Sequence, residues 1–330
     1  LANGISEVCA IQWAIFTLWA ASRCERTPAR NNWILLGVFQ GLTIISTFYY
    51  GMAIGLLLIV LFIYTGIRHV RKDKDFDKIS SLGYIPVGLG EGNFNKQWMR
   101  DNTGENISYK NKKYGEYTFH YWFWKNKLKK NEDKWIGFCQ KRRFWINKDC
   151  ENQIINGQNF SRIFLTKVQK EWEKYDSIIC KPIKINNVKK MKLIKKGLFY
   201  LLKKPSIFFD INKQNIKLHF DLHHGNGNLE KAINLLDEND KDDFYKYVNS
   251  RTFYNPHIMF IAKPYVIDNW FNTLFPWLLR CESVFGFKNL KGYETKRIYA
   301  YLAERYLSFW FKKYSNTLEW PWSIYENYEK

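Results

Sequence analysis

Cysteine is scarce in this sequence and never occurs in closely spaced pairs. There is no Cys-x-x-Cys motif and no zinc-ligand spacing, and a chain of 330 residues does not need disulfides to form a core. These absences exclude a zinc ribbon, a dithiol redox protein and a small disulfide-stapled domain, and they favour a reducing, cytoplasmic setting. The six cysteines are Cys9, Cys24, Cys139, Cys150, Cys180 and Cys281.

Acidic residues are few relative to basic ones. The chain has 31 Asp and Glu against 51 Lys and Arg, which gives a formal net charge of +20. This excess predicts an anionic substrate or partner. Apolar residues make up 46% of the sequence, which is enough for a sizeable core and excludes a wholly disordered protein.

Charged residues are absent from Trp33 to Ile67. One helix of that length would run roughly 50 Å, well beyond a hydrocarbon layer of about 30 Å, so we expect a break at Tyr49 to Gly51 and a transmembrane hairpin over residues 33–67. A hairpin also puts the arginines before it on the same side as the basic residues after it, as the positive-inside tendency prefers. Residues 8–22 form either a further span or an interfacial helix.

The pattern therefore predicts three regions. Residues 1–67 are transmembrane, residues 68–83 are a basic juxtamembrane linker, and residues 84–330 form a domain at the cytoplasmic face of the inner membrane, in contact with membrane lipid. The run from Arg30 to Gly51 also resembles a short piece of the multi-pass transferases that use polyprenyl-phosphate sugars.

Beyond residue 83, short apolar runs of strand length alternate with helical stretches, which predicts an α/β domain. The predicted strands are Tyr84 to Leu89, Trp135 to Cys139, Ser177 to Cys180 and His257 to Ala262. The predicted helices are Tyr114 to Leu128, Phe164 to Lys174, Leu229 to Asp237, Tyr265 to Cys281 and Glu294 to Lys312. Pro264 stands at a helix entry, where its missing N–H is tolerated.

Four segments place polar residues among aromatics, which a plain core would not do. They are Asp101 to Ser108, Tyr121 to Asn126, Lys141 to Trp145 and Ala303 to Tyr306. Their order and spacing resemble the bacterial polysaccharide-biosynthesis family catalogued as domain of unknown function 4422, whose members are described as glycosyltransferases or capsule and exopolysaccharide proteins. Further matching segments are Tyr175 to Ile179, His224 to Leu229 and His257 to Ile261.

The resemblance covers about residues 84–313 and implies a GT-A-like, Rossmann-type domain that takes a sugar from a nucleotide-sugar donor. This chain departs from the family pattern in two places. The family's opening strand would fall where the basic linker stands. If that strand is absent from this chain, the nucleotide pocket is incomplete and the chain is inactive. Gln140 and Lys141 replace the His-Tyr that often precedes the arginine pair.

Arg142 and Arg143 follow the predicted strand Trp135 to Cys139. Transfer from a nucleotide sugar leaves a diphosphate, whose developing charge must be stabilised by a metal or by fixed cations. Many such enzymes hold a metal with Asp-x-Asp at this position, whereas here guanidinium groups follow the strand, and these suit bidentate phosphate contacts. We predict that both arginines bind the donor phosphates. The alternative is a solvated basic strand end.

Other polar residues of the matching segments are candidates for contacts to the sugar. Glu304 is the preferred base because an acceptor hydroxyl needs a nearby carboxylate or histidine, although Glu304 and Arg305 also suit an ion pair inside a helix layer. Asp101 suits either a sugar contact or a cap or turn. The candidates are Asp101, His224 and Glu304 for catalysis, Asn102, Thr103, Tyr121, Lys125 and Asn126 for the donor, and Asp221, His223 and Arg305 for the acceptor or for structure.

Metal binding has two candidate locations. The one Asp-x-Asp, Asp75-Phe76-Asp77, lies in the charged linker. If Ile216 to His223 were a strand, His219, Asp221 and His223 would share a face, whereas the resemblance indicates a helix or turn. We expect no resident metal and no tightly bound cofactor, and we leave open a divalent ion that accompanies the nucleotide sugar.

These observations give three functional hypotheses. The first is an enzyme that moves a sugar from a nucleotide-sugar donor onto a cell-surface polysaccharide or lipid-linked acceptor. The second is a module that binds nucleic acid or an anionic membrane, motivated by the basic excess and by aromatics interleaved with lysine. No RNA-recognition or helix-turn-helix signature is present, so we expect no nucleic-acid partner. The third is an inactive fusion product.

Overall fold

The computed structural model describes most of the chain, which divides into two compact units, Leu1–Ile79 and Ser80–Lys330. The described residues are 13–24, 30–46, 54–59, 79–151, 153–155, 158–186, 206, 210, 213–286, 290 and 293–325.

The first unit is helical where it is described, over residues 13–24, Arg30–Ser46 and residues 54–59. A buried pair of hydroxyl groups joins the first two helices, since the Oγ1 atoms of Thr17 and Thr43 lie 3.1 Å apart. Small and aliphatic side chains pack together within the unit. They are Ala20, Cys24, Leu36, Ile54 and Leu58.

The prediction of a multi-pass inner-membrane protein is wrong. Among the described residues, no helix has both the length and the apolar character needed to cross a bilayer. Arg30–Ser46 has 17 residues. At 1.5 Å per residue such a helix spans about 25 Å, short of a hydrocarbon layer of about 30 Å. The membrane-lipid partner stays a prediction. The expected break at Tyr49 to Gly51 lies outside the described residues.

The second unit contains ten short strands among its described residues. They are β1 (Val87–Gly88), β2 (Met99–Arg100), β3 (Ile136–Phe138), β4 (Arg143–Trp145), β5 (Ser177–Cys180), β6 (Ile183–Lys184), β7 (Phe253–Tyr254), β8 (Phe260–Ala262), β9 (Thr317–Trp320) and β10 (Trp322–Ile324).

Named α-helices of the second unit surround these strands. They are α1 (Asn111–Tyr114), α2 (Tyr117–Asn126), α3 (Phe160–Ile163), α4 (Ile216–His224), α5 (Asn228–Ile233), α6 (Glu238–Ser250), α7 (Pro264–Phe285), α8 (Tyr293–Lys296) and α9 (Ile298–Tyr314).

Four strands form the central sheet, in the order β3-β8-β5-β9. β5 is parallel to β9, and β8 is antiparallel to both β3 and β5, so β3, β5 and β9 run in the same direction. Phe138, Cys180 and Trp320 therefore end their strands at one edge of the sheet, which we call the carboxyl edge. β8 begins at the same edge, directly after residues 257–259.

Both faces of the sheet are buried, and successive side chains alternate between them. Phe138, Ile179 and Phe260 belong to the larger core, which includes side chains of α2, α7 and α9. Ile178 and Ile261 belong to a second cluster, rich in tryptophan. The prediction of a mixed α/β domain is confirmed.

A tight turn connects β3 to β4 and sets the directions of the two arginines. The backbones of Gln140 and Arg143 exchange two hydrogen bonds, of 3.2 and 3.1 Å, so Lys141 and Arg142 form the tip. β4 pairs with β10, which puts Ile324 opposite Arg143. As a result Arg142 is exposed, whereas Arg143 is half-buried.

Several predicted elements match the structure and two do not. The strand Ser177–Cys180 and the helix entry at Pro264 are as predicted. The predicted helix Phe164 to Lys174 is wrong, because Phe164 is extended and its ring stacks on Phe144 with centroids 4.4 Å apart, so that tertiary packing overrides the local pattern. The strand alternative for Ile216 to His223 is also wrong, since that segment is α4.

Candidate active site

Polar side chains from distant parts of the sequence meet at the carboxyl edge. The connection from β7 to β8 contributes Asn255 and His257, α9 contributes Glu304 and Arg305, and the turn after β3 contributes Arg143. Ligands of open α/β sheets bind outside the carboxyl ends of the strands. We call these residues the Glu304 cluster.

Glu304 is held by two hydrogen bonds. Its Oε1 accepts from the backbone N–H of His257 at 2.5 Å, and its Oε2 accepts from Nη1 of Arg305 at 2.6 Å. Among the described non-glycine residues, only His257 has a positive φ, of 72°. That conformation costs about 1–2 kcal/mol for a residue with a Cβ. The Glu304 carboxylate therefore stabilises a strained backbone at the site.

Arg305 is the buried partner of Glu304, with a side chain only 2% exposed. Its guanidinium carbon lies 3.9 Å from the centre of the Tyr254 ring, a cation–π contact. Its Nη2 lies 3.5 Å from Nδ1 of His219 on α4. These contacts fix the direction of the guanidinium and, through it, the direction of the carboxylate.

Arg143 adds a second positive charge to the cluster. Its Nη1 donates to Oε1 of Gln140 at 3.0 Å, within the turn that connects β3 to β4. Burial, together with the charges of Arg143 and Arg305, lowers the pKa of His257 to about 3. His257 is therefore neutral at neutral pH, and two guanidinium groups face one carboxylate.

Several buried polar atoms without a partner lie in or next to this cluster. Among the described residues, they include the Tyr117 hydroxyl and the atoms Arg143 Nε, Asn255 Oδ1, His257 Nε2 and Arg305 Nε. Tyr117 lies on the first turn of α2, and its pKa is raised by burial and by the nearby charges of Glu304 and Glu116. Because buried polar groups as a rule have partners, these atoms indicate a place where water or a ligand supplies them.

Asp101 is fully buried beside the first turn of α2. Its Oδ1 accepts from the backbone N–H of Gly90 at 2.9 Å, and its Oδ2 accepts from the hydroxyl of Thr118 at 2.6 Å. Both carboxylate oxygens therefore stabilise a loop, and the geometry favours the turn interpretation of Asp101 over a catalytic one. Thr118 is adjacent to Tyr117, so the Asp101 loop contacts the same helical turn that carries Tyr117.

The segment after Asp101 is fastened to the last turn of α2. Asn126 donates to the carbonyl of Glu105 at 2.8 Å and accepts from its backbone N–H at 3.2 Å. Thr103 accepts from the indole N–H of Trp122 at 3.1 Å, and Asn102 is exposed. Asn126 and Thr103 thus join the loop to α2.

Tyr121 and Lys125 contact the same loop. The Tyr121 hydroxyl donates to Oε1 of Glu105 at 2.7 Å, and Nζ of Lys125 lies 3.9 Å from that atom. Lys125 also lies 3.8 Å from the centre of the Trp124 ring. Eight residues of helix, about 12 Å along its axis, separate Lys125 from Tyr117. The structure therefore does not bring the predicted donor residues of α2 into the Glu304 cluster.

Three more predicted residues, Asp221, His223 and His224, are on α4, and Arg142 is at the tip of the turn after β3. Asp221 bonds to Lys217 Nζ and to the backbone N–H of Gly227, both at 3.1 Å, and His223 Nδ1 lies 2.8 Å from the His219 carbonyl. The ring of His224 stacks on Tyr301, with centroids 3.9 Å apart. No described contact takes the side chain of Arg142 into the cluster. The predicted roles of these residues stay predictions.

The prediction that His219, Asp221 and His223 bind a metal assumed a β-strand, in which the three side chains would share one face. On a helix, residues two apart point in different directions, so the shared face does not exist. Within the described ranges, no group of three or more His, Cys, Asp or Glu side chains is arranged to hold a metal ion. Asp75 and Asp77 lie outside the described residues.

Residues 69–316, three quarters of the chain, match the family model described as domain of unknown function (DUF4422). The chain belongs to this family. The resemblance seen in the sequence motifs is thus confirmed for the second unit. The match begins at residue 69, so the resemblance of the N-terminal run to polyprenyl-phosphate-sugar transferases stays a prediction.

The DUF4422 chain also resembles a solved structure, the apo form of the bifunctional glycosyltransferase WbbM. The TM-score is 0.57 at 20% sequence identity, and the match covers 74% of this chain and 42% of the WbbM chain. At this identity the likeness concerns the fold alone, and the chain spans less than half of WbbM. No curated protein matches the chain.

Sequence reasoning did not select Tyr117, Tyr254, Asn255 or His257 as site residues. A signal was present for two of them. Asn255 and His257 flank a proline directly before the apolar strand β8, and polar residues at a strand end with a chain-bending proline favour an exposed functional loop. Tyr117 and Tyr254 look like ordinary core aromatics, and only the fold brings them to Glu304.

Proposed function

We propose that this protein transfers a glycosyl group from a nucleotide-sugar donor to a hydroxyl of a glycan acceptor, and that the reaction takes place at the Glu304 cluster. The observation that carries the proposal is the group of unpartnered buried polar atoms around a fixed carboxylate at the carboxyl edge. The fold likeness to a glycosyltransferase supports the same class of reaction. A polysaccharide or lipid-linked glycan is the proposed acceptor.

Arg143 is the residue that we assign to the donor diphosphate. Arg143 and Arg305 together outweigh the charge of Glu304, and His257 is neutral, so the cluster is net positive. Fixed cations in a partly buried site stabilise the charge that develops on a leaving diphosphate. Arg305 is too deeply buried to meet the donor and is a positioning residue for Glu304.

Glu304 is the proposed base. Each of its carboxylate oxygens accepts one hydrogen bond from the protein and keeps a further lone pair. That lone pair can accept the proton of the acceptor hydroxyl as the oxygen attacks the anomeric carbon. Positioned bases of this kind contribute about 10²–10⁴-fold to a rate.

The donor role of Arg143 can be tested by calorimetric titration of the full chain with UDP-, GDP- and dTDP-linked hexoses. We expect Arg143→Ala to weaken binding roughly 10- to 100-fold, as expected for the loss of one charged hydrogen-bonding group. Arg142→Ala is the matched control, since it removes the same group at the exposed tip of the same turn. Equal binding by the two variants would contradict the assignment.

Two further measurements separate catalysis from other functions. Glu304→Gln should keep nucleotide-sugar binding and lower transfer by about 10²-fold or more. RNA should be titrated at two salt concentrations in parallel. Strongly salt-dependent RNA binding without nucleotide-sugar binding would refute the proposal in favour of a nucleic-acid module.

A further inference from the structure

A second cleft, of about 440 Å³, opens between the start of α6, the first half of α7 and the end of α9. It lies at the opposite end of the sheet strands from Glu304. Tyr265 on its wall lies near the carboxylate of Asp176, the residue before β5, and Tyr314 lies just before β9. This cleft is therefore separate from the Glu304 cluster, and its size is typical of small-ligand sites.

Two tyrosines form an aromatic wall of this cleft. Tyr265 is 46% exposed and Tyr314 is 48% exposed. The hydroxyl of Tyr314 donates to Oδ1 of Asp240 at 2.7 Å, and the hydroxyl of Tyr265 lies near the Asp176 carboxylate. The hydrogen bond holds the Tyr314 ring in place, and both rings have part of their surface open to a ligand. A rigid aromatic surface suits the apolar C–H face of a pyranose.

Between the aromatic rings the lining is rich in side-chain amides. Each amide offers two donors and an acceptor in one plane, which matches neighbouring hydroxyl groups of a sugar. The amides of Asn269 and Asn272 are on α7, where both residues are exposed. The polar uncharged lining residues other than tyrosine are Asn239, Asn269, Asn272 and Thr273.

The charge of the cleft argues for a neutral ligand. In a chain of net charge +20, the charged residues that line it are Asp237 and Asp240. Both are already paired, Asp237 with Arg280 at 3.0 Å and Asp240 with Lys313 at 3.0 Å. Carboxylates at the surface repel phosphates and acidic sugars, and their pairing leaves little attraction for a cation.

We propose that this cleft binds a neutral oligosaccharide, as a docking site for a glycan chain that is distinct from the proposed transfer site. The aromatic wall takes the face of one sugar ring, and the asparagines bind its hydroxyls. This proposal does not depend on the assignment of a reaction to Glu304, because the two sites share no residue.

The test is binding of neutral hexasaccharides of glucose, galactose and mannose to the full chain, measured by saturation-transfer NMR and calorimetry. We expect at least one of them to bind at millimolar concentration or below. The double variant Asn269→Ala/Asn272→Ala should weaken that binding roughly tenfold, as expected for the loss of two or more net hydrogen bonds. Asn131→Ala changes an exposed asparagine in a turn that does not line the cleft, so it is the matched control and should bind as the unchanged chain does.

Glu304→Gln, measured in the same way, separates the two sites and should leave this binding unchanged. If Glu304→Gln abolished hexasaccharide binding while the double asparagine variant kept it, the glycan would bind at the Glu304 cluster and the proposal would be overturned. Absence of millimolar binding to all the hexasaccharides would also overturn it. Neither result would bear on nucleotide-sugar binding.

Discussion

The ion pair of Glu304 and Arg305 gives a quantitative test of how the cluster is built. The side chains are 14% and 2% exposed, and they meet at 2.6 Å. Removing one partner of a buried pair costs about 3–5 kcal/mol, because the other charge is left without compensation. Glu304→Gln keeps the shape and the acceptor for the His257 N–H, so its expected cost is about 3 kcal/mol of unfolding free energy, at the lower end of that range.

The double-mutant cycle isolates the pair from its surroundings. Arg305→Met removes the charge but keeps an apolar chain against Tyr254, and its expected cost is again about 3 kcal/mol because Glu304 is then unpaired. The double variant Glu304→Gln/Arg305→Met contains no unpaired charge. We therefore expect it to cost about 2 kcal/mol less than the sum of the single variants.

Urea unfolding of the four proteins, followed by far-UV circular dichroism and tryptophan fluorescence, measures these costs. The exposed pair of Lys148 and Glu171, 2.8 Å apart, is a suitable control cycle, and its coupling should be below about 1 kcal/mol. If the Glu304 and Arg305 costs were additive within about 0.5 kcal/mol, the two side chains would not support each other and the reasoning for a preorganised carboxylate would fail.

Three further changes test the surroundings of the site. Gly104→Ala should lower the free energy of unfolding by about 2 kcal/mol, because φ at this position is +57° and the new Cβ would overlap Oδ1 of Asn126. The melting temperature should partly recover in the double variant Gly104→Ala/Asn126→Ala, which removes the overlapping amide. Thr118→Val should cost about 1–3 kcal/mol in chemical unfolding, because it leaves an oxygen of the buried Asp101 without its donor. Burial lowers the pKa of His120 to about 3, so the folded state binds this proton more weakly and stability falls as the pH drops from about 6.5 towards 3. Between pH 7 and 5 this group should account for a loss of about 2 kcal/mol in the free energy of unfolding. His120→Leu should remove that part of the pH dependence. If the unfolding free energy of His120→Leu fell as steeply with pH as that of the unchanged chain, the assignment would be contradicted.

The parts of the fold that followed from the sequence are those that depend on local pattern. Ser177–Cys180 is buried on both faces, and an apolar run of that length between polar residues predicts such a strand. α7 begins at Pro264 as the position of a first-turn proline indicates. The run from Trp33 to Ile67 misled the prediction, because lack of charge alone does not make a helix long enough to cross a bilayer, and Arg30–Ser46 has 17 residues.

The site was harder to predict because its geometry depends on single-residue register and on long-range contacts. Arg142 and Arg143 are equivalent as sequence, and only the hydrogen bonds of the turn at Gln140 decide which of them points inward. The strain at His257 is invisible in the sequence, since it follows from a hydrogen bond to a residue 47 positions away. A pattern of residue types cannot encode either feature.

The motif segments themselves serve two different purposes. In the segment that begins at Asp101, the polar groups of Asp101, Thr103 and Asn126 all have partners within the loop and α2, so their spacing is accounted for by loop architecture. In the segment that contains Glu304 and Arg305, polar atoms remain without partners although they are buried. A satisfied polar group needs no ligand to be stable, whereas an unsatisfied buried one does. In this DUF4422 chain, unmet hydrogen-bonding capacity marks Arg143, His257 and Arg305 around the proposed base Glu304, whereas the carboxylate of Asp101 is accounted for by its bonds to Gly90 and Thr118.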